Sequence, residues 1–101
     1  MAPPAPVIGQ LVVVEPANMA GLTWVLGNEI TLGRVPTCGI HLDDTYVSSV
    51  HARIFFVDGA FMIEDLDSRN GTLLNGAALA ATTPLRPGDV IAVGATAMEF
   101  S

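Results

Sequence analysis

Residues 51–66 read HARIFFVDGAFMIEDL, two runs rich in β-branched and aromatic residues on either side of Asp58-Gly59. Runs of this composition favour strands over helices, and Asp-Gly tolerates the positive φ angles of a tight hairpin turn. Alternation along the first run sends Ile54 and Phe56 to one face of its strand. The opposite face is also too apolar to be wholly solvated. This stretch therefore predicts the central hairpin of a β-sheet.

The same pattern of short apolar runs and turn formers continues on both sides of the hairpin. Asn75-Gly76 predicts a second tight turn and Pro87-Gly88 a wider one. The ten predicted strands are 10–15, 22–26, 29–32, 40–42, 51–57, 61–66, 72–74, 77–80, 89–93 and 96–100. We predict an all-β protein, a two-sheet antiparallel β-sandwich of about ten to eleven short strands, with no helix longer than one or two turns.

The length of 101 residues suits one compact domain. Residues 1–6 are rich in proline and alanine and predict a flexible tail or linker. Residues 7–101 are expected to form a single domain. Half of the residues are apolar and 14% are charged, a balance that favours folding over disorder.

The formal charge of −6 disfavours nucleic acid and anionic membranes as partners. The chain contains no lysine, and its four basic residues are Arg34, Arg53, Arg69 and Arg86. An anion site must therefore be local and depend on one or two of these arginines. Arginine suits phosphate because its planar guanidinium donates paired hydrogen bonds.

Apolar stretches, the start of the chain and its cysteine content indicate the expected cellular location. No apolar stretch reaches the length needed to span a membrane, and the start lacks the features of a signal peptide. Cys38 is the single cysteine and cannot form an internal disulfide, which fits a reducing compartment. We expect a cytoplasmic protein.

Three loops carry polar residues between apolar strands. The first begins at Arg34, the second covers residues 43–50, and the third covers residues 67–71. One predicted strand separates the first loop from the second, and two separate the second from the third. Simple up-and-down alternation would not bring all three to one end, so their gathering would require a crossover or a Greek-key connection.

These loops contain three ordered motifs: Gly33-Arg34, then Ser48-x-x-His51, then 68–72 with the sequence SRNGT followed by Asn75-Gly76. In order and spacing the set closely resembles the signature of forkhead-associated (FHA) domains. The resemblance extends over about residues 30–76, and residues 85–91 and 100 resemble the closing strands of that family. It implies a module that binds phosphothreonine-containing proteins or peptides in kinase signalling or assembly, without catalysis and without a cofactor.

The resemblance also implies roles for individual residues. Those expected to contact the phosphopeptide are Arg34, Ser48, Ser49, Arg69 and Asn70. Those expected to support the loops are Gly33, His51, Gly71, Asn75 and Gly76. Tyr46, two positions before Ser48, is expected to read the peptide side chain three positions after phosphothreonine and to favour an apolar one.

Other functions fit the sequence less well. A degenerate FHA fold could act as a phosphate-independent scaffold or dimerisation module, although such a fold would be expected to lose the arginine or the serine. A hydrolase triad is disfavoured because there is no G-x-S-x-G elbow. The Cys38-x-x-His41 spacing alone is too weak to predict a metal site. The oligomeric state and the phosphorylated partner are left open.

Overall fold

The computed structural model describes residues 9–101, which form two β-sheets packed face to face. Eleven strands and one short 3-10 helix, Ala17–Met19, occur in this part of the chain. The strands are β1 (Gly9–Glu15), β2 (Thr23–Leu26), β3 (Glu29–Gly33), β4 (Ile40–His41), β5 (Ala52–Val57), β6 (Ala60–Asp65), β7 (Leu73–Leu74), β8 (Ala77–Ala78), β9 (Thr83–Pro84), β10 (Val90–Val93) and β11 (Thr96–Phe100). The predicted all-β sandwich is confirmed. The predicted tail, 1–6, lies outside the described residues.

The first sheet has the order β2-β1-β11-β10-β7-β8 and the second the order β4-β3-β5-β6-β9. Neighbouring strands run antiparallel except β3 and β4, which pair in parallel through Leu32 with Ile40 and Gly33 with His41. The chain moves between the sheets four times, after β2, β6, β8 and β9. Each sheet is therefore built from segments that are distant in sequence.

The core lies between the sheets and is built by alternate residues of each strand. In the central hairpin Ile54 pairs with Ile63, and both side chains are buried. Leu11, Ile91 and Met98 face them from the other sheet as part of one continuous apolar cluster. Because burial of apolar area is the main favourable contribution to folding, this cluster holds the two sheets together.

The hairpin turns have the predicted geometry. Asp58 and Gly59 adopt φ angles of 50° and 80°, and Asn75 and Gly76 adopt 51° and 83°. Positive φ at both central residues is the mark of the tight turns that match the twist of antiparallel strands. The central hairpin predicted from residues 51–66 is confirmed.

Two short elements, the strand β9 and the 3-10 helix, were not predicted. The strand β9 contains Pro84 and pairs with β6 at the edge of its sheet, where a residue without an N–H is tolerated. The 3-10 helix has only three residues and no strong periodic signal. Arg53 of β5 forms ion pairs with Glu29 of β3 and Glu64 of β6, across neighbouring strands.

No helix within residues 9–101 is long and apolar enough to cross a membrane. Over the same residues, no group of three or more histidine, cysteine, aspartate or glutamate side chains is arranged to hold a metal ion.

Candidate functional site

The three polar loops meet at one end of the sandwich because β4 runs parallel to β3. The second loop therefore leaves β4 at the end where the first loop leaves β3. Strands β5 and β6 then form an antiparallel pair, so the third loop returns to that same end. The crossover that the gathering of the three loops requires is therefore the connection between the parallel strands β3 and β4.

The first and second loops are joined by backbone hydrogen bonds that continue the pairing of β3 with β5. The Arg34 N–H donates to the carbonyl of Ser48 at 3.0 Å, and the Val35 N–H donates to that of Ser49 at 3.2 Å. A Cβ atom at Gly33 would overlap the Ser49 carbonyl oxygen. The close approach of the two loops therefore requires glycine at position 33.

His51 connects the second loop to the third. Its ring is fully buried, with Nδ1 3.0 Å from the Ser48 backbone nitrogen and Nε2 2.8 Å from the Gly71 carbonyl oxygen. Because Nδ1 accepts the Ser48 N–H and a carbonyl can only accept, the proton must be on Nε2. The side chain thus holds two loops together by hydrogen bonds to their backbones.

Two more bonds join these loops at the surface. The Arg69 N–H donates to the Ser48 hydroxyl oxygen at 3.0 Å, and the Asn70 side-chain amide donates to the Tyr46 carbonyl at 2.8 Å. The Ser48 oxygen is therefore fixed as an acceptor, and its own proton is left for a further acceptor. The arrangement positions the Ser48 hydroxyl to donate to a bound anion.

A cleft of about 300 Å³ opens between the loops. It is lined by Arg34, Thr45, Tyr46, Val47, Ser48, Ser49, Arg69 and Asn70. Every residue expected to contact a phosphopeptide therefore lies in one cleft, and Tyr46, whose side chain is 68% exposed, lies beside them.

The cleft carries positive charge in an acidic chain. In the described residues, Arg34 and Arg69 form no ion pair with a carboxylate, whereas Arg53 pairs with two. Both arginines are exposed. Two arginines without a carboxylate partner and a hydroxyl donor have the chemistry that binding a multiply charged anion requires.

Asp65 supports the third loop and was not identified from the sequence. Its carboxylate accepts hydrogen bonds from the Ser68 hydroxyl at 2.5 Å, the Ser68 N–H at 2.9 Å and the Thr72 hydroxyl at 2.7 Å. Partial burial acts to raise the pKa of Asp65, but these bonds outweigh it and hold the pKa below its ordinary value. The short Asp65-x-x-Ser68 spacing was the signal available, because such pairs form local turns.

Asp44 supports the second loop in the same way. Its carboxylate accepts the backbone N–H groups of Ala95 and Tyr46, each at 2.8 Å. These bonds hold the pKa of Asp44 below its ordinary value. Since Ala95 lies 51 positions along the chain, no local sequence pattern could have indicated this contact.

The remaining predicted support residues are divided between the site and the neighbouring sheet. Gly71 has a φ of 82° and presents its carbonyl to His51. The Asn75-Gly76 turn joins β7 and β8 away from the cleft. There the Asn75 side chain accepts the Val90 N–H at 2.9 Å and donates to Asp89 at 3.0 Å. Asn75 therefore ties its turn to β10 rather than to the loops of the cleft.

The structure is a β-sandwich whose loops at one end form a cationic cleft, and loops held by a rigid scaffold commonly carry binding residues. The model of the FHA domain family matches residues 30–94. The chain therefore belongs to the FHA domain family, as the motifs predicted.

The sequence of the chain is also similar to that of a named member of this family. It is 36% identical over 92 residues to the FHA domain-containing protein FhaB of Mycolicibacterium smegmatis, an alignment that covers 90% of this chain and 59% of that protein. The chain thus spans less than two thirds of the length of this relative.

Two solved structures show the same fold. One comes from a structural and functional analysis of phosphothreonine-dependent FHA domain interactions. It superposes with a TM-score of 0.83 at 28% sequence identity, and the alignment covers 93% of this chain and 95% of that one. The other is Mycobacterium tuberculosis EmbR in complex with a low affinity phosphopeptide. It superposes with a TM-score of 0.86 at 25% sequence identity, and the alignment covers 93% of this chain and 24% of that one.

Proposed function

We propose that this domain binds phosphothreonine-containing segments of partner proteins, in signalling or assembly controlled by a Ser/Thr kinase, and that it catalyses no reaction. The observation that carries the proposal is the shared cleft of Arg34, Ser48 and Arg69, in which a fixed hydroxyl lies with two arginines free of carboxylates. A phosphate dianion has three strong acceptor oxygens, and these three side chains supply donors for them.

The remaining cleft residues fit an extended peptide beside the phosphate. Asn70 and Ser49 offer polar groups to its backbone, and exposed Tyr46 offers apolar area and one hydroxyl to a side chain after phosphothreonine. The similar structures support this assignment, because one is described as phosphothreonine-dependent and another as a phosphopeptide complex. A cytoplasmic location belongs to the same proposal, since the single cysteine fits a reducing compartment.

The proposal is tested with an oriented phosphothreonine-peptide library, and with unphosphorylated and phosphoserine versions of the selected peptide. Arg34→Ala should weaken binding by about 2–5 kcal/mol in calorimetric titration, because it removes one of the two arginines that pair with the phosphate. The fold should be unchanged, because an exposed arginine outside the core contributes less than about 0.5 kcal/mol to stability.

Arg86→Ala is the matched control, since Arg86 is exposed but does not line the cleft. It should bind the selected peptide as the unmodified protein does. A folded Arg34→Ala protein with unchanged affinity would contradict the proposal and favour a phosphate-independent scaffold.

A further inference from the structure

A second groove, of about 450 Å³, adjoins the cationic cleft and shares Thr45 and Tyr46 with it. Its other walls come from the connection between β1 and β2, through Pro16 and Met19, and from the start of β11. A ligand segment crossing Tyr46 would leave one depression and enter the other. The groove is therefore continuous with the proposed phosphopeptide site.

The floor of this groove is apolar. Pro16 and Met19 line it and are partly exposed, and Met19 also packs against the core from the 3-10 helix. The open apolar surface accepts the aliphatic part of a side chain, which gains free energy by leaving water.

The rim of the groove is negatively charged. Asp43 is exposed there, and the Asp44 carboxylate is fixed by the backbone N–H groups of Tyr46 and Ala95. Each Asp44 oxygen accepts one of these bonds and has a second lone pair for another donor. All four arginines of the chain lie in its described part, and none of them lines this groove.

We infer that this groove binds a lysine or arginine side chain that flanks the phosphothreonine in the same partner segment. The inference rests on the proposed phosphothreonine function. The aliphatic stem lies on Pro16 and Met19, and the cationic end reaches Asp43 and Asp44. A purely aliphatic side chain leaves the carboxylates unpaired, and an acidic one is repelled. The partner segment thus joins a phosphate to a basic residue, and the two ends of the recognition surface carry opposite charges.

The test uses the phosphothreonine peptide selected from the library, with a single lysine moved through each position on both sides of the phosphothreonine. At each position lysine is compared with norleucine, which has a similar aliphatic chain but no charge. At one position lysine should bind about threefold to fivefold more tightly, as expected for a partly exposed charge pair. Asp43→Lys should abolish or invert this preference while norleucine peptides still bind.

Asp67→Asn is the matched control, because Asp67 is an exposed acid in the third loop that does not line the groove. Asparagine also tolerates its φ of 56°. This variant should keep the preference for lysine. Equal binding of lysine and norleucine peptides at every position would overturn the inference and leave the proposed function intact. Failure of every phosphothreonine peptide to bind would overturn both. A preference that survives Asp43→Lys would show that the basic residue lies elsewhere.

Discussion

The two ends of the β5–β6 hairpin are held in different ways. At one end, the Asp58-Gly59 turn joins adjacent strands and depends on its own φ angles, 50° and 80°. At the other end, the second loop is fixed by partners far along the chain, since Ser48 bonds to a residue 21 positions away and Asp44 to one 51 positions away. One end is a local structure, and the other exists only when several segments have already assembled.

This difference indicates which end of a small β-sandwich is suited to a binding site. A turn that depends on its own dihedral angles does not depend on contacts with the rest of the molecule, so substitutions compatible with those angles are tolerated. A cleft held by long-range bonds is preorganised by the folded core, which lowers the entropy cost of arranging donors around an anion. The site end should therefore respond strongly to single substitutions, and the far end weakly.

The largest effect on stability is expected for His51→Ala. Removing the buried ring leaves the Ser48 N–H and the Gly71 carbonyl without their partner and opens a cavity. The free energy of unfolding should fall by about 2–4 kcal/mol, and phosphopeptide affinity should fall with it because both loops lose their support. Urea unfolding and calorimetric titration measure the two effects.

His41→Ala is the control for this substitution, because His41 is an exposed histidine of the same sandwich. Its unfolding free energy should change by less than about 0.5 kcal/mol. Equal losses in the two variants would show that the buried hydrogen bonds of His51 do not support the two loops.

Ser48→Ala should act mainly on affinity. It removes one hydroxyl donor to a charged group, a loss of about 1.5–3 kcal/mol in binding. Thermal melting should change little, because the Ser48 hydroxyl is partly exposed and water can replace it as acceptor for the Arg69 N–H. Ser49→Ala should lose less affinity, since the Ser49 contacts that join the loops use its backbone carbonyl. An affinity unchanged by Ser48→Ala would contradict the assigned donor.

Local parts of the fold could be predicted from sequence because their causes are local. The hairpin of residues 51–66 and the turns at Asp58-Gly59 and Asn75-Gly76 follow from strand composition and from dipeptides that adopt positive φ. The edge strand β9 could not be predicted in this way. Its two residues, Thr83 and Pro84, form a strand only because β6 lies beside them.

The candidate site could be proposed from its motifs, but its geometry could not. Alternation of strands indicated that the first loop would lie apart, and the parallel pairing of two-residue β4 with β3 reversed that expectation. Asp44 was missed because its partner, Ala95, is distant in sequence. Asp65 was missed because a carboxylate beside an apolar strand resembles an ordinary exposed acid. The roles of the cleft residues in binding stay predictions.

Asp65→Asn should reduce stability in a manner that depends on pH. The carboxylate accepts three hydrogen bonds, and an amide cannot accept them all, so the unfolding free energy at pH 7 should fall by about 1–2 kcal/mol. Because the pKa of Asp65 is lowered in the folded protein, its stabilisation is complete above its ordinary value of 3.8 and is lost as the pH falls through the folded value.

The two proteins should therefore differ in stability at neutral pH and converge as the pH falls through the lowered pKa of Asp65. Urea unfolding at a series of pH values measures this difference. A difference that stays constant from neutral to acid pH would show that the carboxylate charge is not the cause.

The smallest effect is expected for Asp58→Asn at the far end of the hairpin. Asn-Gly is at least as favourable as Asp-Gly in a tight turn with positive φ at both positions. Asp58 is exposed, and its side chain lines neither the cleft nor the adjoining groove. The unfolding free energy should change by less than about 0.5 kcal/mol, and phosphopeptide affinity should be the same within error.

The substitution removes one negative charge, as Asp65→Asn does, so comparison of the two at pH 7 separates the loss of a loop support from the loss of charge alone. If Asp58→Asn weakened phosphopeptide binding measurably, the two ends of the sandwich would be coupled, and the local turn would have to be counted among the supports of the site.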